Sequence, residues 1–162
     1  MNHIIGNWQL NGILSLNSGP RYDVQDNNAI SNISNFAGIE RVNQVADPRR
    51  STLDYALDKL HPINFNAFAD PPTGSFGTMR RNSLTADWGR NLDLSLFRSF
   101  SISESKRFEF RAEAFNLANT PVMGTPDTFL GDGNAYQGGT FGLVSYTANT
   151  ERQLQIALKF YF

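Results

Sequence analysis

The stretch that decides the fold is Gln153-Leu154-Gln155-Ile156-Ala157-Leu158-Lys159-Phe160-Tyr161-Phe162, which closes the sequence. Successive side chains of a β-strand point to opposite faces, so its even positions form a wholly apolar face and its odd positions a largely polar one. A transmembrane β-barrel strand requires this alternation over about ten residues. A soluble sheet also produces it, but terminal residues of soluble domains are usually frayed and solvated, which makes an apolar ending less expected there.

Three further segments show the same period. Together with the closing stretch they predict strands at about residues 4–16, 91–102, 107–116 and 152–162. In the third of these, Arg and Glu alternate along the polar face, which suits a wet lumen lined by compensating charges. A soluble sandwich could turn the same charges to solvent, so the strands alone leave both classes open.

The lengths of the connections add an independent argument. The predicted loops at 17–90 and 117–151 are long, whereas the connection at 103–106 is a short polar turn. Connections in compact soluble domains have a median of about 4–6 residues, while outer-membrane barrels alternate short periplasmic turns with long extracellular loops. We therefore predict an all-β fold, in which residues 1–162 form an antiparallel transmembrane β-barrel segment with long extracellular loops and a periplasmic turn at 103–106.

The alternation also assigns side chains to the two faces of the sheet. The residues predicted to face lipid are Leu10, Leu14, Leu92, Leu94, Leu96, Phe100, Phe108, Phe110, Leu154, Ile156 and Leu158. Those predicted to face the lumen are Asp93, Glu109, Arg111, Glu113 and Lys159. Arg98 falls among the apolar positions, where a cation costs about 2–4 kcal/mol at the membrane midplane and about 0–1 kcal/mol near an interface. We expect its long stem to extend toward the lipid headgroups.

Composition and motifs exclude several function classes. A formal net charge of -1 offers no basic surface, so we expect no nucleic-acid partner. The absence of cysteine excludes disulfides and thiolate metal sites. The histidines, His3 and His61, stand in no catalytic motif, and the serines lack a nucleophile elbow. We therefore expect no enzyme activity, no catalytic residue, no cofactor and no metal site.

The start of the sequence bears on location. The residues Met1–Ile5 include no basic region leading into a long apolar core, so they do not resemble a signal peptide. An outer-membrane protein should carry one. Two alternatives follow: the chain is cytosolic, or its true N-terminus lies elsewhere.

The first long loop contains one predicted helix. Asp47 is a suitable N-cap, Pro48 suits the first helical position, and the helix is expected to reach about Leu60. Asp54 and Asp58 would share one face of it, which we interpret as a solvated face because no histidine or third acid stands at ligand spacing.

Several segments resemble one family, in the same order along the chain. The most specific are Arg90–Phe100 and Phe108–Pro121, a strand, turn and strand that end in an Asn-x-x-Asn-x-Pro exit at 116–121. The others are Gly6–Ile13, Phe65–Phe68, Gly74–Gly77, Phe141–Val144 and Arg152–Phe162. Together they resemble the C-terminal end of the Oar-like TonB-dependent receptors. The resemblance spans nearly the whole chain and is weakest at about residues 22–60.

The resemblance implies a bacterial outer-membrane location and a barrel of about 22 strands, of which this chain would hold the last four. The plug domain and TonB box of the family have no counterpart in the sequence, so no transport is expected from this chain alone. Four strands do not close a barrel, and an open edge in hydrocarbon leaves unpaired backbone groups. We therefore expect a C-terminal fragment, or a truncated reading frame, of a longer receptor.

The implied partners follow from that expectation. They are outer-membrane lipid, the remaining barrel strands and plug of the parent receptor, the barrel-assembly machinery, and TonB only through the missing N-terminal part. In the final strand, Gln155, Ala157, Phe160 and Phe162 occupy the positions of the assembly signal of outer-membrane proteins, with Ala157 in place of the usual glycine. An ordinary amphipathic edge strand is the alternative, although a flat apolar edge would aggregate in a soluble protein.

A different function class also fits the sequence. The chain could be a non-enzymatic β-rich surface module whose loops bind carbohydrate, peptide or a matrix component. Soluble, monomeric expression would favour that hypothesis over the barrel.

Overall fold

The computed structural model describes residues 6–27, 40–50, 58–133 and 137–162. The chain divides into two compact units. We call Met1–Asn17, Gly89–Val122 and Asn149–Phe162 the sheet unit, and Ser18–Trp88 with Met123–Ala148 the loop unit.

Strands dominate the regular structure. In chain order they are β1 (Trp8–Asn17), β2 (Arg21–Tyr22), β3 (Gln25–Asp26), β4 (Glu40–Arg41), β5 (Asn43–Gln44), β6 (Phe68–Ala69), β7 (Leu84–Thr85), β8 (Gly89–Ser101), β9 (Arg107–Phe115) and β10 (Gln153–Tyr161). Short 3₁₀ helices span Phe65–Ala67 and Leu130–Asp132. Within the described ranges, the structure holds no helix that is both long enough and apolar enough to cross a membrane.

The four long strands of the sheet unit form one antiparallel sheet in the order β1-β8-β9-β10. Its register pairs even-numbered residues with even-numbered ones: Trp8 lies opposite Arg98, Arg98 opposite Phe110, and Phe110 opposite Leu158. Because a shift by one residue would exchange the faces, this register puts the apolar positions of all four strands on a single face. The predicted antiparallel all-β fold class is confirmed.

The ends of β1 and β8 follow from local backbone geometry. β1 begins at Trp8 rather than near residue 4, because Asn7 has a φ of 68°, outside the extended region. Residues 1–5 lie outside the described part of the chain. At the other end, Ile102 N and Ser103 N donate to Lys106 O at 2.8 and 3.1 Å, which closes the tight turn between β8 and β9.

The loop unit has a hydrophobic core that the sequence analysis did not predict. Short strand pairs, β2 with β7, β3 with β4 and β5 with β6, join segments that are distant in sequence. Phe141 packs edge-on against Phe65 and Phe68, with ring centroids 5.4 and 5.8 Å apart. The segments predicted as loops therefore have a packed interior. The buried members of that core are Tyr22, Val24, Val42, Ile63, Ala67, Phe68, Met79, Leu84 and Phe141.

Most of the predicted helix falls outside the described residues. Asp47 does cap the chain locally, since its Oδ1 accepts a hydrogen bond from Arg49 N at 2.9 Å. The segment 51–57, which includes Asp54, is not described, and Lys59 and Leu60 form a turn.

Candidate functional site

The even-numbered face of the sheet is largely apolar, and its side chains in β1 and β10 are exposed. Leu10, Leu154 and Leu158 are exposed, and Ile156 is 75% exposed. Monomeric soluble proteins rarely expose a contiguous apolar patch of more than a few hundred Å², so this face requires an apolar covering. All the residues predicted to face lipid lie on it, by the register of the four strands. That they contact lipid stays a prediction.

Aromatic rings lie at the end of this face that is nearest the C-terminus. Phe160 lies 4.8 Å from Phe108 and 5.9 Å from Phe162, measured between ring centroids. Gln155 and Ala157, the other members of the predicted assembly signal, belong to the odd-numbered face. The structure thus presents two of the four residues together on the apolar face. Their role in assembly stays a prediction.

Aromatic rings cover the Arg98 side chain. Arg98 is only 4% exposed, and its guanidinium carbon lies 4.3 Å from the centroid of the Phe100 ring and 5.0 Å from that of Trp8. Trp8 and Phe110 flank Arg98 on the neighbouring strands, and their rings meet edge-to-face at 6.1 Å. A ring face attracts a cation through its quadrupole, so these rings cover the charge. That the stem of Arg98 extends toward lipid headgroups stays a prediction.

The odd-numbered face carries a ladder of compensating charges. Arg111 Nη2 lies 3.5 Å from Glu109 Oε1, and Arg111 Nη1 lies 3.8 Å from Glu113 Oε1. Partly exposed ion pairs of this kind contribute about 0–1 kcal/mol each, so the ladder determines the polarity of the face more than its stability. The register also puts Asp93 and Lys159 on this face, with Lys159 opposite Glu109. That the face lines a lumen stays a prediction.

Asparagine side chains tie the exit from β9 to the entry into β10. Asn116 Oδ1 accepts a hydrogen bond from Thr120 N at 3.3 Å, and Asn116 Nδ2 donates to Thr150 O at 2.8 Å. Asn119 Oδ1 accepts from Arg152 N at 3.0 Å. With Asn149, these residues form what we call the asparagine clip.

Asn149 and Asp93 complete these contacts. Asn149 Oδ1 accepts from Val122 N at 2.8 Å, and Asp93 Oδ1 accepts from Asn116 N at 2.9 Å. Asn116 and Asn119 both have a φ of 48°, a left-handed conformation that asparagine adopts more readily than most residues. In the sequence, the 116–121 motif is evidence only of the family resemblance. Its two asparagines before a proline were the signal that the chain turns sharply there.

A family model described as "Outer membrane beta barrel domain" matches residues 1–155. The chain belongs to this family. The outer membrane beta barrel domain indicates a bacterial outer-membrane location, so the expected location is confirmed. No curated protein and no solved structure matches the chain.

Domains of the outer membrane beta barrel family are generally non-enzymatic. The loop unit of this domain nevertheless holds one histidine contact that the sequence analysis missed. His61 Nδ1 lies 2.7 Å from Asp58 Oδ2, and Arg50 Nη1 donates to His61 O at 2.8 Å. A carboxylate and an imidazole form only part of a catalytic constellation. Among the described residues, no three His, Asp or Glu side chains are grouped so that they could hold a metal ion.

One carboxyl group in the loop unit provides a test by pH. Partial burial of the group, followed by the negative charge of Asp26, raises the pKa of Asp70 above its ordinary value of 3.8. The native state then binds the Asp70 proton more tightly than the unfolded chain does. Stability from this group is therefore fully present below pH 3.8 and is lost as the pH rises through the raised pKa.

We expect Asp70→Asn to stabilise the domain at neutral pH, because the asparagine carries no charge beside Asp26. The residue as a whole is exposed, so the effect should be modest. Urea unfolding of wild type and variant at pH 7, and again below pH 3.8, measures it. The advantage of the variant should disappear at the lower pH. A variant that is less stable than wild type at pH 7 would contradict the assignment.

Proposed function

We propose that the protein is part of an Oar-like TonB-dependent receptor of the outer membrane. In this proposal the sheet unit belongs to the barrel wall, with its even-numbered face toward lipid and its odd-numbered face toward the lumen. The loop unit lies on the extracellular side, and the turn at 103–106 on the periplasmic side. The chain supplies wall and surface, and no transport is proposed for it alone.

One observation carries the wall assignment. Apart from Arg90 and Arg98 in β8, the even-numbered face is apolar across all four strands, while the odd-numbered face holds the ladder of Glu109, Arg111 and Glu113. A soluble sandwich would bury the apolar face against a second sheet. Within the sheet unit Ile156 remains 75% exposed, as a lipid-facing side chain would be before lipid covers it.

Placing an arginine on each face in turn tests this assignment. We expect Ile156→Arg to lower the stability of the chain folded in lipid vesicles by roughly 2–3 kcal/mol, because an arginine near the bilayer midplane loses its hydration. Gln155→Arg, the matched control one residue away on the other face, should cost less than about 0.5 kcal/mol. Guanidinium unfolding of both variants in vesicles gives the two values. Equal costs would refute the lipid-facing assignment.

A second measurement covers the case in which Ile156→Arg does not fold. The sequence contains no cysteine, so Ile156→Cys and Gln155→Cys each accept a single fluorescent label. A lipid-soluble quencher should reduce the emission of the label at position 156 more strongly than at position 155. The reverse order would show that the odd-numbered face meets lipid.

The receptor assignment is supported by the resemblance of Arg90–Phe100 and Phe108–Pro121 to the Oar-like family. The proposed partners are outer-membrane lipid, further barrel strands and a plug, the barrel-assembly machinery acting on Phe160 and Phe162, and TonB through an N-terminal part. The coding sequence upstream of Met1 tests it. An open frame with further alternating strands and a plug would support the receptor. A start site with its own promoter at Met1 would refute it.

The packed interior of the loop unit favours a second candidate function. Its core around Phe141 resembles that of a small independent domain more than that of open loops. A β-rich surface module that binds carbohydrate, peptide or a matrix component through this unit would have such a core. Soluble expression of the chain as a monomer with one cooperative melting transition would favour this candidate over the barrel.

A further inference from the structure

The loop unit contains an open cavity of about 570 Å³. Sites for small molecules typically have volumes of about 300–1,000 Å³ and mostly apolar linings. Tyr22, Ile63 and Leu84 contribute apolar lining, and Trp88, which is 50% exposed, lines the cavity as well. All of these residues belong to the loop unit, so the cavity is formed within one compact unit.

Close backbone approaches hold two walls of the cavity in place. Ala86 N donates to Pro20 O at 3.0 Å, and a Cβ atom on Gly19 would overlap the backbone at Ala86. On another wall, Gly124 N donates to Tyr146 O at 3.0 Å, and a Cβ atom on Gly124 would overlap the Tyr146 ring. Such walls leave little room for rearrangement, so the cavity is preformed.

The charged side chains of the lining differ in what they already bind. The lining includes Arg49, Arg50 and Asp87. Arg50 is engaged by Asp58 and by the backbone of His61. Asp87 accepts hydrogen bonds from two backbone N–H groups, at 3.0 and 3.5 Å. Arg49 is exposed, and within the described part of the chain its guanidinium makes no ion pair. Among the described residues that line the cavity, Arg49 is therefore the one cation that makes no ion pair.

We propose that this cavity binds a small aromatic carboxylate. The Arg49 guanidinium pairs with the carboxylate, since its planar fork matches two carboxylate oxygens. Trp88 and the apolar lining receive the flat ring, because aromatic rings gain from offset or edge-on contact as well as from burial. This binding site goes beyond the barrel-wall function and rests on contacts within the loop unit alone.

Fluorine NMR of the full chain folded in detergent micelles tests the proposal, with para-trifluoromethylbenzoate as the probe. We expect the probe signal to broaden and shift on titration with protein. The neutral para-trifluoromethylbenzamide, which has the same ring and no charge, should bind at least about tenfold more weakly. Empty micelles give the baseline for partition into detergent.

Paired variants identify the site. Arg49→Gln should weaken benzoate binding by about tenfold, and Trp88→Ala should weaken the binding of both probes. Arg80→Gln, which removes an exposed cation of the same unit outside the cavity lining, should bind like wild type. Binding that is undetectable, equal for both probes, or unchanged in Arg49→Gln would overturn the proposal. None of these outcomes bears on the lipid-facing test at Ile156, so the two can fail separately.

Discussion

Phe141→Ala is expected to lower the stability of the loop unit by about 3–5 kcal/mol, the usual cost of removing a buried phenylalanine ring. Phe141 is 2% exposed and lies in edge-on contact with Phe65 and Phe68. Alanine would leave a cavity at the centre of the core, and both ring contacts would be lost. A small packed unit has a free energy of unfolding of only a few kcal/mol, so the substitution should remove most of that stability.

Hydrogen exchange measured by mass spectrometry reports each unit of the full chain separately. Peptides from the loop unit should lose protection in Phe141→Ala, while peptides from β8 to β10 should keep theirs. Phe76→Ala is the matched control, because Phe76 is 76% exposed and its truncation should change protection little. Unchanged protection in Phe141→Ala would show that the loop unit has no core of the kind described.

Asn116→Ala is expected to destabilise the sheet unit by at least about 3 kcal/mol. Alanine at a φ of 48° costs about 1–2 kcal/mol. Loss of the side chain also removes the partners of Thr120 N and Thr150 O, and each partly buried group left unsatisfied costs about 1–3 kcal/mol. The chain would then leave β9 and enter β10 without the clip that holds both segments.

Guanidinium unfolding followed by far-ultraviolet circular dichroism measures this loss. Asn116→Gly separates the two causes, since glycine tolerates the left-handed backbone and loses only the side-chain bonds. It should recover about 1 kcal/mol relative to Asn116→Ala. Ser101→Ala, an exposed position of the same unit, serves as the neutral control. A glycine variant no more stable than the alanine variant would contradict the backbone part of the explanation.

The sheet could be predicted from the sequence because its signals are local. A period of two in residues 153–161 or 107–115 assigns each side chain to a face before any partner strand is known. The short turn at 103–106 then fixes the register of β8 with β9, and that register keeps the apolar positions together. These inferences depend only on neighbours within a strand or across one tight turn.

The core of the loop unit lacked any such signal. Val24, Val42, Met79 and Phe141 are all buried, but they follow no shared period and lie outside the strands. Backbone contacts between distant segments, such as Met79 N with Val42 O at 3.1 Å, bring them together. A pattern read along the sequence does not contain pairings of that kind.

The asparagine clip and the rings over Arg98 could be predicted only in part: some of their residues stand out in the sequence, but their contact partners do not. The motif at 116–121 was visible in the sequence, but its bond partners Thr150 and Arg152 lie some thirty residues later. The rings over Arg98 include Trp8, which only the pairing of β1 with β8 brings near.

The alternation in the sequence is enough to predict an antiparallel β structure with one largely apolar and one largely polar face, because side-chain alternation is a property of each strand alone. Folding determines which side chains are covered. It buried Arg98 beneath rings from neighbouring positions, and it gave the long connections a core and a cavity. The physical reason is that burial depends on contacts between residues far apart in sequence, and those contacts exist only once the strands have paired.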